Sequence, residues 1–147
     1  MDYKLLCAQL KALTEDVENV ISNLSNASAL LWQELADINW AGFYKMEGGI
    51  LVLYPFQGKP ACTKIAVGKG VCGTAVAENR TQLVPDVHQF PGHIACDCAS
   101  NSEIVVPIHV NGEIWGVLDI DSPNLGRFDV EDQKGLENFV KILETVL

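Results

Sequence analysis

The chain has 147 residues, 48% of them hydrophobic and 20% charged, which suits one domain able to bury its own core. Its formal net charge of −9 argues against nucleic acid and anionic membrane surfaces as partners, because both need a surplus of Lys and Arg, and it mildly favours a small cationic or zwitterionic ligand. Met1 to Leu13 carries Lys4 and Lys11 and no long apolar run, so neither a signal peptide nor a membrane span is expected, and a cytoplasmic setting with reduced thiols follows.

Residues up to Leu13 read as a short helix. Thr14, followed by Glu15 and Asp16, predicts the start of a second one, with carboxylates in its first turn. Val17, Val20, Ile21, Leu24, Ala27, Leu31 and Leu35 recur at helical spacing and carry it to about Asn39. Trp40 to Met46 and Ile50 to Pro55 are strand-like and joined by Glu47-Gly48-Gly49, a hairpin signal. Thr63 to Val67 is a third strand, Gly70 to Asn79 a short helix and Thr81 to Pro85 a short strand. Asp86 to Ser102 has no clear period and contains Pro91 and Gly92, so a long loop is expected there. Glu103 to Val110 and Glu113 to Ser122 are the two strongest strands, and Phe128 to Val146 closes the chain as an amphipathic helix capped by Asp129. The expected architecture is a single α+β domain over 1–147. Two N-terminal helices fill 1–39, a sheet with its loops 40–122 and a C-terminal helix 128–146. The sheet is antiparallel, with helices packed on one face and a loop-covered pocket on the other.

The last hairpin decides where its acids point. A two-residue Asn111-Gly112 turn would join the apolar face of one strand to the mixed face of the other. A three-residue loop, with Gly112 in the left-handed position, puts Ile104, Val106 and Ile108 with Ile114, Leu118 and Ile120, and burial selects that register. The opposite face then carries Glu103, Val105, Asp119 and Asp121, with Glu103 directly across from Asp119. On spacing alone these acids either face water at a strand end or converge on a site. Trp40, Gly42 and Tyr44 alternate onto one face of the first strand, either as plain core or as an aromatic wall with space above Gly42.

Four of five cysteines, Cys62, Cys72, Cys96 and Cys98, share one window, and that density fits disulfide staples, metal ligation or thiol redox chemistry. A core of this size needs no staples. A zinc site would favour a Cys-x-x-Cys knuckle, whereas here the spacings are long and irregular; His93 with Cys96 keeps zinc open. Cys7, among leucines in the first helix, reads as inert packing. Cys96 lies in a polar loop with other thiols nearby, which suits a nucleophile and a resolving partner.

Ala61-Cys62, Gly68-Lys69-Gly70-Val71-Cys72-Gly73-Thr74-Ala75, Asp86-Val87-His88, Gly92-His93-Ile94-Ala95-Cys96-Asp97, Ser100-Asn101-Ser102-Glu103-Ile104 and Gly116-Val117-Leu118-Asp119-Ile120-Asp121-Ser122 together resemble the free methionine-(R)-sulfoxide reductases, which are GAF-domain enzymes. The resemblance runs from Trp40 onward and is looser in the N-terminal helices. It implies a single GAF-like domain in which Cys96 is the attacking thiol, Cys62 its resolving partner and Cys72 an auxiliary or alternative resolver. Glu103, Asp119 and Asp121 match the carboxylates of the substrate site, and Trp40 and Tyr44 its aromatic wall. Cys98 stands where the family pattern has a small residue.

The implied activity is reduction of free methionine-(R)-sulfoxide, through a cysteine sulfenic acid and an intramolecular disulfide reset by a thioredoxin-type reductant. No bound cofactor or metal is expected, and the family suggests a homodimer. Clustered carboxylates cannot all ionise cheaply, so at least one should keep a proton and serve as the acid, Asp121 or Glu103. The rival readings are a non-catalytic GAF sensor of an amino-acid-like ligand and a structural zinc module.

Overall fold

The computed structural model of the chain describes residues 1–92 and 99–147. Helix α1 spans Tyr3–Thr14 and is capped by Asp2, whose side chain accepts from the Leu5 amide. Thr14 closes this helix instead of starting the next one: its Oγ1 donates back to the Leu10 carbonyl at 3.0 Å. The chain then turns through Asp16, at a φ of 60°, and Asn19 caps helix α2, Val20–Glu34, by accepting from the Ser22 amide at 3.0 Å. The second helix therefore starts later and ends earlier than the apolar spacing predicts. Val17 and Leu35 belong to the periodic pattern but lie outside the helix.

Strands β1 (Trp40–Glu47), β2 (Ile50–Gly58) and β3 (Lys64–Ala66) follow, then helix α3 (Gly70–Glu78) and strand β4 (Gln82–Val84). A 3₁₀ turn at Val87–Gln89 interrupts what the sequence presents as plain loop, and Ser102 belongs to strand β5 (Ser102–Val110). Strand β6 is Glu113–Ser122. Helix α4, Val130–Glu144, begins with a reciprocal cap between Asp129 and Asp132. The described strands form one antiparallel sheet in the order β3-β2-β1-β6-β5-β4. No helix of the described residues is long and apolar enough to cross a membrane.

Strand alternation gives the sheet two different faces. One buries Phe43, Ile104, Leu118 and Ile120 under α1, α2 and α4, with Leu31 and Phe139 among the helix residues covering them. The other carries Trp40, Tyr44, Val105 and Val117 and is covered by the first turns of α3 and the adjoining loops. One helix thus lies on the pocket face, which the simple expectation of helices on a single face does not include.

The β5–β6 hairpin realises the predicted faces by a different device. Asn111 and Gly112 both have positive φ, 55° and 78°, and form a two-residue turn closed by Val110 opposite Glu113. A bulge next follows: Ile108 pairs with Gly116 but His109 with Ile114, leaving Trp115 as the extra residue. That single insertion changes the parity, so Ile104 faces Ile120 and Val106 faces Leu118. Glu103 consequently lies across from Asp121, and Val105 from Asp119, a correction to the predicted Glu103–Asp119 pairing. Gly116 beside the bulge is required, because a Cβ there would overlap the Tyr44 carbonyl of the neighbouring strand.

Strand β4 covers only Glu103–Val105 of the outer side of β5. Beyond it stand Pro107, which has no amide hydrogen, and His109, whose N–H donates to Glu144 Oε2 on α4 at 2.6 Å.

Candidate active site

Register brings the predicted acids and rings together. Trp40 pairs with Asp121 and Gly42 with Asp119 across β1–β6, and Glu103 joins from β5 opposite Asp121. Directly opposed residues share a face, so two rings and three carboxyls project to the same side. Glu103 and Asp119 are buried, at 8% and 5% exposure, while Asp121 is half-buried.

Burial pushes the Glu103 carboxyl well above its ordinary range, and the charges of Asp119 and then Asp121 add to the effect. Glu103 also hydrogen-bonds both aspartates. Two carboxyl groups can share such a bond only when one holds the proton, so the cluster retains a proton at pH values where an isolated glutamate has lost it.

Helix α3 lowers Cys72 onto this cluster from the other side. Its Sγ donates to Asp119 Oδ2 at 3.3 Å, and the residue is 4% exposed. Burial first, then Asp119, Glu103 and Asp121, hold this thiol well above the usual range. Sulfur and carboxylate ligand atoms from Cys72, Glu103 and Asp119 lie within 4.8 Å of one another, a donor set that could take a divalent ion.

Trp40 stacks on Tyr44 with ring centroids 5.8 Å apart, and on Phe56 at 5.0 Å. Phe56, which sequence reasoning missed, fills the space above Gly42; a Cβ on Gly42 would overlap it. The polar tips of the wall are tied to the β2–β3 loop: Trp40 Nε1 donates to the Lys59 carbonyl at 3.1 Å, and Tyr44 Oη to the Cys62 carbonyl at 3.0 Å. Burial and the nearby acids, Asp119 foremost, raise the Tyr44 phenol, which stays a donor. Cys62 is disulfide-bonded, whereas Cys7 and Cys72 are free thiols, so neither is its partner.

Trp40, Tyr44, Cys72 and the three acids line a cavity to which Ala61, Lys69 and Ser100 also contribute. Ser100 is buried and accepts from Asn39 Nδ2 at 3.3 Å. It belongs to the Ser-Asn-Ser-Glu segment, the one sequence signal that could have found it. Phe56 had none, because the β1–β2 register shifts between Gly42 and Tyr44. His93, Cys96 and Cys98 lie outside the described residues, and with them the predicted nucleophile, its pairing with Cys62 and the zinc set built on His93.

The GAF domain family matches residues 12–147. A protein of Escherichia coli called free methionine-R-sulfoxide reductase is 57% identical over 99% of this chain and 88% of its own length. The Saccharomyces cerevisiae protein of the same name is 50% identical over 94% of this chain and 81% of its own. Among solved structures, that of fRMsr of Staphylococcus aureus in complex with substrate superposes with a TM-score of 0.95 at 57% identity, covering 99% of this chain and 95% of that one.

Proposed function

From its membership of the free methionine-R-sulfoxide reductases, the GAF-domain family to which this chain belongs, we propose that it reduces free methionine-(R)-sulfoxide to methionine. The observation that carries the reading is the proton-sharing cluster of Glu103, Asp119 and Asp121 beneath the stacked wall of Trp40 and Tyr44. A sulfoxide sulfur is a weak electrophile until its oxygen is protonated or strongly hydrogen-bonded. The cluster keeps a proton where an isolated glutamate has lost it, and Asp121, its least buried member, delivers that proton to the sulfoxide oxygen. Asp119 holds the ammonium of the substrate. The rings give its S-methyl group an apolar contact.

Cys96 is the attacking thiol. It takes up the sulfoxide oxygen as sulfenic acid, and methionine leaves. The Cys62 thiol displaces that oxygen as water and forms a Cys62–Cys96 disulfide. A thioredoxin-type dithiol then reduces the disulfide, and its own two thiols are oxidised in exchange. The disulfide-bonded state of Cys62 supports its part in this cycle. A cavity that reads both the ammonium and the carboxylate of the substrate excludes a peptide-bound residue, whose chain has no exit.

The test supplies dithiothreitol and each methionine sulfoxide epimer separately and quantifies methionine. Turnover of the R epimer without the S epimer is expected. Turnover of the S epimer alone, or of neither, overturns the proposal. Binding without methionine formation would instead mark a ligand sensor.

A further inference from the structure

Among the described residues, Cys72 is the one sulfur hydrogen-bonded to the acid cluster, yet the steps above do not use it. Three observations bear on its part. Its Sγ–H is spent on Asp119 Oδ2. It remains a free thiol while Cys62 is disulfide-bonded. Finally, it sits on a helical turn that has little room to move. Cys72 is the third residue of α3, and the Gly68 amide donates to the Gly73 carbonyl at 2.8 Å, closing the entry turn onto the helix. Gly73 lies so close to the Ala66 carbonyl that a Cβ would overlap it.

We infer that Cys72 is a positioning residue: its thiol acts as a hydrogen-bond donor that sets the Asp119 carboxyl in place for substrate, and it takes no part in disulfide exchange. The inference rests on the proposed reductase activity and replaces the alternative-resolver role that family resemblance suggests. Exchange requires a thiolate. Burial and three nearby carboxyls oppose that form, and they favour the protonated thiol that a donor needs. Without the donor, Asp119 Oδ2 loses a buried partner and its carboxyl is released from α3.

Serine and alanine separate the two roles, since serine keeps a donor but cannot form a disulfide. With the full chain and the R epimer, Cys72→Ala should lower kcat/KM by about ten-fold or more, the size of a hydrogen bond to a charged group, mainly through KM. Cys72→Ser should recover most of that loss. In both variants, reduced beforehand and then freed of reductant, mass spectrometry after one equivalent of substrate should find Cys62 oxidised to a disulfide. Equal losses in the two variants, with a sulfenic acid accumulating, would make Cys72 a resolver and overturn the inference. Full activity of Cys72→Ala would overturn it as well. A parent protein with no turnover would instead remove the reductase reading beneath it.

Discussion

At the scale of single residues, Glu103 makes the strongest claim. Its native proton affinity is raised above the ordinary glutamate value of 4.5, chiefly by burial. The folded protein therefore binds this proton more tightly than the unfolded chain does. The stability it contributes is complete below the ordinary value and is lost as pH rises through the native one. Urea unfolding midpoints of the parent should fall as pH rises above the ordinary glutamate value, and Glu103→Gln should flatten that slope. A parent whose midpoint rises across this range would show that the carboxyl ionises freely. The same substitution should lower turnover, because an amide cannot replenish the proton. Trp40, Tyr44, Glu103, Asp119 and Asp121 were legible in the sequence because alternation along a strand fixes the face of each. Cys72 was legible as a family sulfur, but not as a donor to Asp119, since that contact joins a helix to a strand far away in the chain.

At the scale of elements, the β5–β6 hairpin shows how much and how little a pattern reveals. Burial of Ile104, Val106, Leu118 and Ile120 selects the right faces. The pattern cannot say whether a longer loop or a bulge supplies the change of parity, and the two differ in which acid opposes Glu103. The inter-helix break lies later than the pattern predicts, for a related reason. Thr14-Glu15-Asp16 has the composition of a helix start, but the Thr14 hydroxyl is already bonded within α1. Gly116, where β6 presses on β1, gives an element-scale test. Gly116→Ala should destabilise the fold by about 3 kcal/mol, read from urea unfolding, because the added methyl meets the Tyr44 backbone and not a side chain that could swing away. A loss below about 0.5 kcal/mol would show that the two strands can separate without cost.

For the whole molecule, the sheet works as a partition. The face under α1, α2 and α4 carries the larger apolar core, while the other gives part of its area to buried acids. A ligand that satisfies those acids should stabilise the entire domain. At a hundred times its dissociation constant, the R epimer should add about 2.7 kcal/mol and raise the thermal midpoint, while the S epimer at the same concentration should leave it unmoved. Equal shifts with both epimers would mean that the cavity does not read the configuration at sulfur.

The outer margin of β5 has a consequence for life in a crowded solution. Between the end of β4 and the hairpin turn, its outward amide positions are Pro107 and His109; one lacks hydrogen and the other is engaged by Glu144. A stray β-segment from another molecule meets no donor there onto which it could zip. This closed selvedge guards a sheet whose neighbouring strand ends hold the chemistry, and it leaves that flank no template for fibrils.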